Sequence, residues 1–99
     1  MEFSLIYASE LDREIQQKRA MLIDIRGPED YKKMHWRGAV NVPFEEIEQK
    51  RVRLPRQRYL IFYCEHGGSS MELARQLGKE GYRVATVVGG MESMKKLLT

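Results

Sequence analysis

Three short apolar runs alternate with segments of helical spacing, and this alternation limits what the chain can fold into. The runs are Met21–Ile25, Tyr59–Tyr63 and Val84–Val88. Continuous apolar runs of this length are typical of parallel strands that are buried on both faces. The pattern predicts an α/β fold with a mainly parallel sheet and helices on both faces. Because Tyr59–Tyr63 is the most apolar and aromatic run, it is the predicted central strand.

The segments between these runs supply the predicted helices. Ser9 and Asp12 resemble a capping box at the start of a first helix over about residues 9–19. The helix after the central strand is predicted from Met71 to Glu80, with Gly81 as its C-cap. The other predicted elements are an edge strand at Phe3–Tyr7, a helix from Pro28 to about Met34, a brief strand at Ala39–Val42, a helix at Phe44–Glu48, a basic loop from Lys50 to Arg58 and a last helix at Glu92–Leu98.

Length and composition narrow the functional classes. A chain of 99 residues that is 42% hydrophobic and 31% charged is expected to form one globular domain over residues 1–99. No apolar run approaches the ~20 residues of a membrane span, and the N-terminus does not resemble a signal peptide, so a cytoplasmic location is expected. The net charge of +3 is spread along the chain, so neither nucleic acid nor a membrane is expected as a partner.

Cys64 is the one cysteine and the first candidate for chemistry. No cluster of Cys or His accompanies it, so no metal site and no cofactor are expected. It directly follows the predicted central strand, and ligands of open α/β sheets bind beyond the carboxyl ends of the strands. Gly67 and Gly68 permit backbone angles that turn several N–H groups towards one point, and Ser69 and Ser70 are expected to cap the next helix. These features favour a thiolate that can carry an anionic adduct.

Structural interpretations of the same residues stay open. A single cysteine at a strand end can be only a small buried side chain. His66 can hydrogen-bond a substrate or act as an acid, or it can be an exposed loop residue. Asp24 and Arg26 are expected to form an ion pair beneath the loop, where a structural role is favoured over contact with substrate.

Four sequence motifs follow one another between about Ser9 and Leu98. They are Leu22–Arg26 followed by Glu29-Asp30-Tyr31, His35–Pro43, Tyr63-Cys64 with the loop through Ser70, and Gly81-Tyr82 followed by Val87–Gly90. In this order they resemble a single-domain rhodanese, a sulfurtransferase family. The resemblance implies the rhodanese-like three-layer fold, with a five-stranded, mainly parallel sheet between helices. It also implies that the active-site loop binds substrate mainly through its backbone amides and consists of Cys64, Glu65, His66, Gly67, Gly68, Ser69 and Ser70.

The chemistry that the resemblance implies is sulfur transfer through a persulfide. The Cys64 thiolate would attack the outer sulfur of thiosulfate, a polysulfide or a protein persulfide. A thiophilic acceptor would then take this sulfur in a second half-reaction. The acceptor would be cyanide in an assay, and a thiol or the cysteine of a sulfur-relay protein in a cell.

The loop departs from the family pattern at one position. Many thiosulfate-using relatives have Arg where this chain has Ser69, and an Arg would pair with a sulfonate oxygen through its planar fork. Glu65 also places an acid beside the nucleophile, which repels a dianion unless the side chain points to solvent. Thiosulfate is therefore expected to be a poor donor, and a polysulfide or protein persulfide a better one.

Two other functional classes use related architectures. A cysteine phosphatase or arsenate reductase needs an Arg six positions after its Cys, where this chain has Ser70, and its loop is one residue longer. A non-catalytic interaction module with the same fold does not need Cys64, although the missing Arg is compatible with it. Loading of Cys64 with sulfur distinguishes the enzyme from both alternatives.

Overall fold

The computed structural model describes residues 2–98, which form one sheet of five strands with helices around it. The strand order is β1-β5-β4-β2-β3, and the four neighbouring pairs are parallel. The predicted five-stranded α/β fold is therefore confirmed, with β4 as its central strand. In chain order the elements are β1 (Ser4–Ile6), α1 (Leu11–Lys18), β2 (Met21–Asp24), α2 (Pro28–Lys33), β3 (Val40–Asn41), α3 (Phe44–Glu48), β4 (Leu60–Tyr63), α4 (Gly68–Lys79), β5 (Val84–Val87) and α5 (Gly90–Met94).

Alternation along β4 divides the core between the two faces of the sheet. Leu60 and Phe62 pack in the cluster that contains α3 and α4 residues, whereas Ile61 and Tyr63 pack in the cluster that contains α1 and α5 residues. The four side chains are fully buried, as expected for a strand covered on both faces. Cys64 continues the alternation and therefore joins the cluster on the α4 side.

Two glycines have structural roles at the C-terminal end of α4. Gly81, with a φ of 96°, follows the C-cap residue Glu80, so the predicted stop is correct to within one residue. Gly78 interrupts the helical pattern because α4 touches the N-terminal segment there. A Cβ on Gly78 would collide with the backbone of Glu2, and only glycine permits this approach.

The capping box predicted at Ser9 and Asp12 is wrong. Ser9 lies in a 3₁₀ turn over Ala8–Glu10, and α1 begins at Leu11 without a side-chain cap. Asp12 instead accepts a hydrogen bond from Trp36 Nε1 at 2.7 Å and another from Arg37 Nη2 at 2.6 Å. Because the indole is buried and needs an acceptor, this long-range contact outcompetes the local cap.

Asp12 makes the stability of the fold depend on pH. Although burial opposes it, hydrogen bonds from Trp36 and Arg37 hold the pKa of the Asp12 carboxyl below its usual value. A carboxyl with a lowered pKa stabilises the folded chain above its unfolded pKa of about 3.9, and this contribution is lost as the pH falls through the folded value.

We expect Asp12→Asn to lower the free energy of unfolding by about 0.5–1 kcal/mol near pH 6, and by less and less towards about pH 3. The effect is small because the Asp12 side chain is half-exposed. Denaturant unfolding followed by the fluorescence of Trp36, the chain's one tryptophan, measures it. A difference between the two proteins that does not change with pH would contradict this role of Asp12.

Candidate active site

Helix α4 begins earlier than predicted, and this changes the roles of the two serines. It starts at Gly68 rather than Met71, after Gly67 as its N-cap residue with a φ of 103°. No side chain caps it, so the prediction that Ser69 and Ser70 cap the helix is wrong. Only glycine adopts such a φ readily, and Gly67 therefore lets the chain turn from the loop straight into α4.

The Cys64 sulfur lies inside the turn that this early start creates. The backbone N–H groups of Gly67 and Ser70 donate to Cys64 Sγ at N···S distances of 3.1 and 3.4 Å. The Ser70 hydroxyl oxygen is 3.5 Å from the same sulfur. Cys64 is 7% exposed as a residue, so the loop encloses it almost completely. Hydrogen-bond donors that converge on sulfur stabilise a thiolate or an anionic adduct on it.

Thr86 supports this arrangement from β5, and the sequence reasoning missed it. Thr86 Oγ1 and Ser70 Oγ are 2.6 Å apart, and both side chains are buried. Thr86 pairs with Phe62 in the sheet register, so its side chain lies on the same face as Phe62, towards α4. The sequence feature that could have indicated this role is that Thr86 is the one hydroxyl residue in the otherwise apolar run Val84–Val88. Thr86 fixes the Ser70 hydroxyl beside the sulfur.

The start of α5 is joined to the loop by two backbone hydrogen bonds. The N–H of Met91 donates to the Cys64 carbonyl at 2.8 Å, and the N–H of Glu92 donates to the Glu65 carbonyl at 3.0 Å. A Cβ on Gly90 would collide with these two carbonyl oxygens. Gly90 is therefore needed for close backbone approach as well as for its turn, a role that the sequence did not reveal.

Asp24 and Arg26 form the predicted ion pair, but it contacts the loop through Glu65. Arg26 Nη2 is 2.8 Å from Asp24 Oδ2, and Arg26 Nη1 is 3.2 Å from Glu65 Oε1. Asp24 pairs with Tyr63 in the register, so its side chain lies on the α1 side of the sheet, opposite to Cys64. The pair therefore lies across the sheet from the Cys64 side chain and reaches the loop only through Glu65.

Two neighbouring groups each stay in one protonation state, for different reasons. Burial raises the pKa of the Tyr63 phenol, whose oxygen accepts the Trp36 backbone N–H at 3.1 Å. Burial opposes the charge of Arg26, but hydrogen bonds and the charge of Asp24 outweigh it and raise the pKa of the guanidinium. The phenol thus stays neutral and the guanidinium stays charged at physiological pH.

The other predicted loop residues are exposed. His66, Gly68 and Ser69 face solvent, and within residues 2–98 no side-chain hydrogen bond involves His66 or Ser69. The structure thus brings Gly67, Ser70 and Cys64 together and leaves His66 and Ser69 at the rim.

Other features of the described chain lie away from this loop. A surface cleft of about 620 Å³ is lined by residues that include Arg53, Arg56 and Tyr82, and none of its lining residues belongs to the loop. Within residues 2–98, no group of three or more His, Cys, Asp or Glu side chains is placed to hold a metal ion. In the same part of the chain, the helices are too short or too polar to cross a membrane.

Comparison with known proteins places this geometry in a family. Thiosulfate sulfurtransferase GlpE of Coxiella burnetii is 27% identical over 84 residues, which cover 83% of this chain and 78% of that protein. A tRNA sulfurtransferase of Pyrobaculum aerophilum is 36% identical over 64 residues, which cover 65% of this chain but only 13% of that protein. Reduced Bacillus anthracis CoADR-RHD superposes with a TM-score of 0.86 at 28% identity, over 98% of this chain and 17% of that chain.

The family itself is shown by a match across most of the chain. The model of the rhodanese-like domain matches residues 7–97, from the residue after β1 to the end of the 3₁₀ turn that follows α5. The named relatives support a sulfurtransferase role in general terms. The chain therefore belongs to the family of rhodanese-like domains.

Proposed function

We propose that this protein is a sulfurtransferase that carries sulfane sulfur as a persulfide on Cys64. The observation that carries the proposal is the pair of donors that converge on Sγ, the backbone N–H groups of Gly67 and Ser70. An inert buried cysteine has no use for converging donors. A sulfur that accepts a second sulfur and keeps a negative charge needs them.

The proposed reaction has two half-reactions. The Cys64 thiolate attacks the outer sulfur of a donor, the sulfur–sulfur bond of the donor breaks, and the rest of the donor leaves with the electron pair. A thiol, cyanide or the cysteine of a relay protein then attacks the outer sulfur of the Cys64 persulfide and regenerates the thiolate. Donor N–H groups stabilise negative charge on either sulfur without changing position.

Thiosulfate, polysulfides and protein persulfides are the proposed donors. Thiosulfate is included among the proposed donors because the Coxiella burnetii relative is named for it. The exposed Ser69 gives it no cationic partner, so we propose that it is the weaker donor. The proposed setting is the cytoplasm, where a reducing environment keeps Cys64 available as a thiol.

The direct test is the intact mass of the protein after treatment with thiosulfate and, separately, with polysulfide. We expect a gain of one sulfur atom, which cyanide or a thiol then removes. Because Cys64 is the chain's one cysteine, protein alkylated beforehand with iodoacetamide is the matched control and should gain nothing. If neither donor loads the protein, the sulfurtransferase proposal fails and a non-catalytic module is favoured. Turnover of an aryl phosphate that depends on Cys64 would favour a phosphatase.

Ser69→Arg tests the explanation for weak use of thiosulfate. Ser69 is exposed in the first turn of α4, where an Arg can reach a sulfonate oxygen. We expect kcat/KM for thiosulfate to rise about tenfold, because a hydrogen bond to a charged group contributes about 1.5 kcal/mol. Ser69→Gln, which is long and polar but uncharged, is the control. Equal values for the Arg and Gln variants would refute this explanation.

A further inference from the structure

Asp24, Arg26 and Glu65 form an ion triad that includes the residue directly after the nucleophile. Arg26 donates to Asp24 through Nε and Nη2 and to Glu65 through Nη1, at distances between 2.8 and 3.2 Å. Arg26 Nη2 also donates to the carbonyl of Met34 at 2.6 Å. Four of the five N–H donors of the Arg26 guanidinium therefore have acceptors within the protein, and the remaining one is on Nη1, the nitrogen that donates to Glu65.

The triad has one net negative charge, and Glu65 is its most exposed member. The side chains of Asp24 and Arg26 are 0% and 7% exposed, whereas that of Glu65 is 43% exposed. The Cα atoms of adjacent residues are about 3.8 Å apart, and the Cys and Glu side chains add at most about 3 and 5 Å, so the Glu65 carboxylate lies within roughly 12 Å of the Cys64 sulfur, which is little more than a Debye length of about 8–10 Å. Salt screens a charge at that distance only in part.

Positive charge does not offset this carboxylate at the sulfur. The groups that contact Cys64 Sγ within residues 2–98 are backbone N–H groups and a hydroxyl, which are neutral. Arg26 compensates only one of the two acids in the triad. The N–H dipoles at the sulfur therefore attract an anionic substrate, whereas the net negative charge of the triad repels it. This repulsion increases with the negative charge of the substrate.

We propose that Glu65 is a specificity-determining residue that selects sulfane donors of low charge over dianions. Neutral hydropersulfides and monoanionic thiosulfonates are the favoured class, and thiosulfate, as a dianion, is disfavoured. This inference rests on the proposed sulfur transfer and names its substrate class. With a hydropersulfide, the thiolate attacks the terminal sulfur, which keeps its proton, and the donor's inner sulfur leaves as a thiolate with the electron pair.

The test compares Glu65→Gln with the wild type on two donors of related chemistry. Thiosulfate is a dianion, and an aryl thiosulfonate is a monoanion that transfers the same kind of sulfur. In a buffer of low ionic strength, removal of one charge within roughly 12 Å of the sulfur should raise kcat/KM about twofold for the thiosulfonate and about fourfold for thiosulfate, because the repulsion doubles with the charge of the donor. The difference between the donors should shrink when inert salt is added to about 0.5 M.

Glu80→Gln is the matched control. Glu80 follows the last residue of α4, about 18 Å along the helix from its start at the loop, and pairs with Lys50 at 3.8 Å. Its replacement should leave the ratio of the two kcat/KM values unchanged. Equal gains for both donors in Glu65→Gln, or no gain with thiosulfate, would overturn the role of Glu65. Failure of every donor to load the wild-type protein is a different result, which would remove the sulfur-transfer proposal and this inference with it.

Discussion

Cys64→Ser is expected to reduce sulfur transfer at least about 10³-fold, the scale on which loss of a covalent nucleophile acts. A serine hydroxyl is a much weaker nucleophile and cannot form the sulfur–sulfur bond that the proposed cycle needs. The loss should be in kcat, with no gain of sulfur in the intact mass after any donor. A standard assay with an aryl thiosulfonate and cyanide measures the rate.

The substitution is suitable because it should leave the loop intact. Serine has nearly the shape of cysteine, and its oxygen can accept from the same N–H groups of Gly67 and Ser70. We expect the free energy of unfolding to change by less than about 1.5 kcal/mol. A folded Cys64→Ser protein with more than a tenth of the wild-type rate would show that another group carries the chemistry.

Arg26→Leu is expected to destabilise the fold by about 3–5 kcal/mol, the usual effect of removing one partner from a buried ion pair. The Arg26 and Asp24 side chains are 7% and 0% exposed, so the Asp24 carboxyl would be left buried without its cationic partner. For a chain of this size, such a loss lowers Tm by roughly 12 °C or more. Thermal unfolding and denaturant titration measure both quantities.

Two further variants separate the buried charge from simple loss of packing. In Asp24→Asn combined with Arg26→Leu, no buried carboxylate is left without a partner, since the Glu65 side chain is 43% exposed, and the Asn oxygen can still accept the backbone N–H that Asp24 Oδ1 accepts at 2.9 Å. We expect this double variant to be more stable than Arg26→Leu alone. Arg37→Leu is the exposed counterpart, because Arg37 pairs with Asp12 but its side chain is 64% exposed. It should cost at most about 1 kcal/mol. A double variant no more stable than the single one would contradict the unpaired-charge explanation.

The elements that could be predicted from sequence are those with a local cause. The run before Cys64 forms the central strand because a continuous apolar segment is stable only where both faces are covered. The short helix Phe44–Glu48 has the predicted bounds, since Pro43 precedes it and its first turn is acidic. Other boundaries are one to a few residues shorter or longer than predicted. Ser9 and Ser70 are residue types that suit a helix cap, but neither caps a helix here. Ser70 instead lies within hydrogen-bond distance of Thr86.

The sequence by itself determined the order of strands and helices and the position of Cys64 between a strand and a glycine-containing turn, because hydrophobic period and glycine conformation act over a few neighbouring residues. Only the tertiary structure decided what surrounds the sulfur. Thr86 reaches Ser70 from another strand, Arg26 reaches Glu65 across 39 positions of the chain, and α5 binds the carbonyl of Cys64. These contacts depend on sheet register and on which segments pack together, and no local pattern in the sequence contains that information.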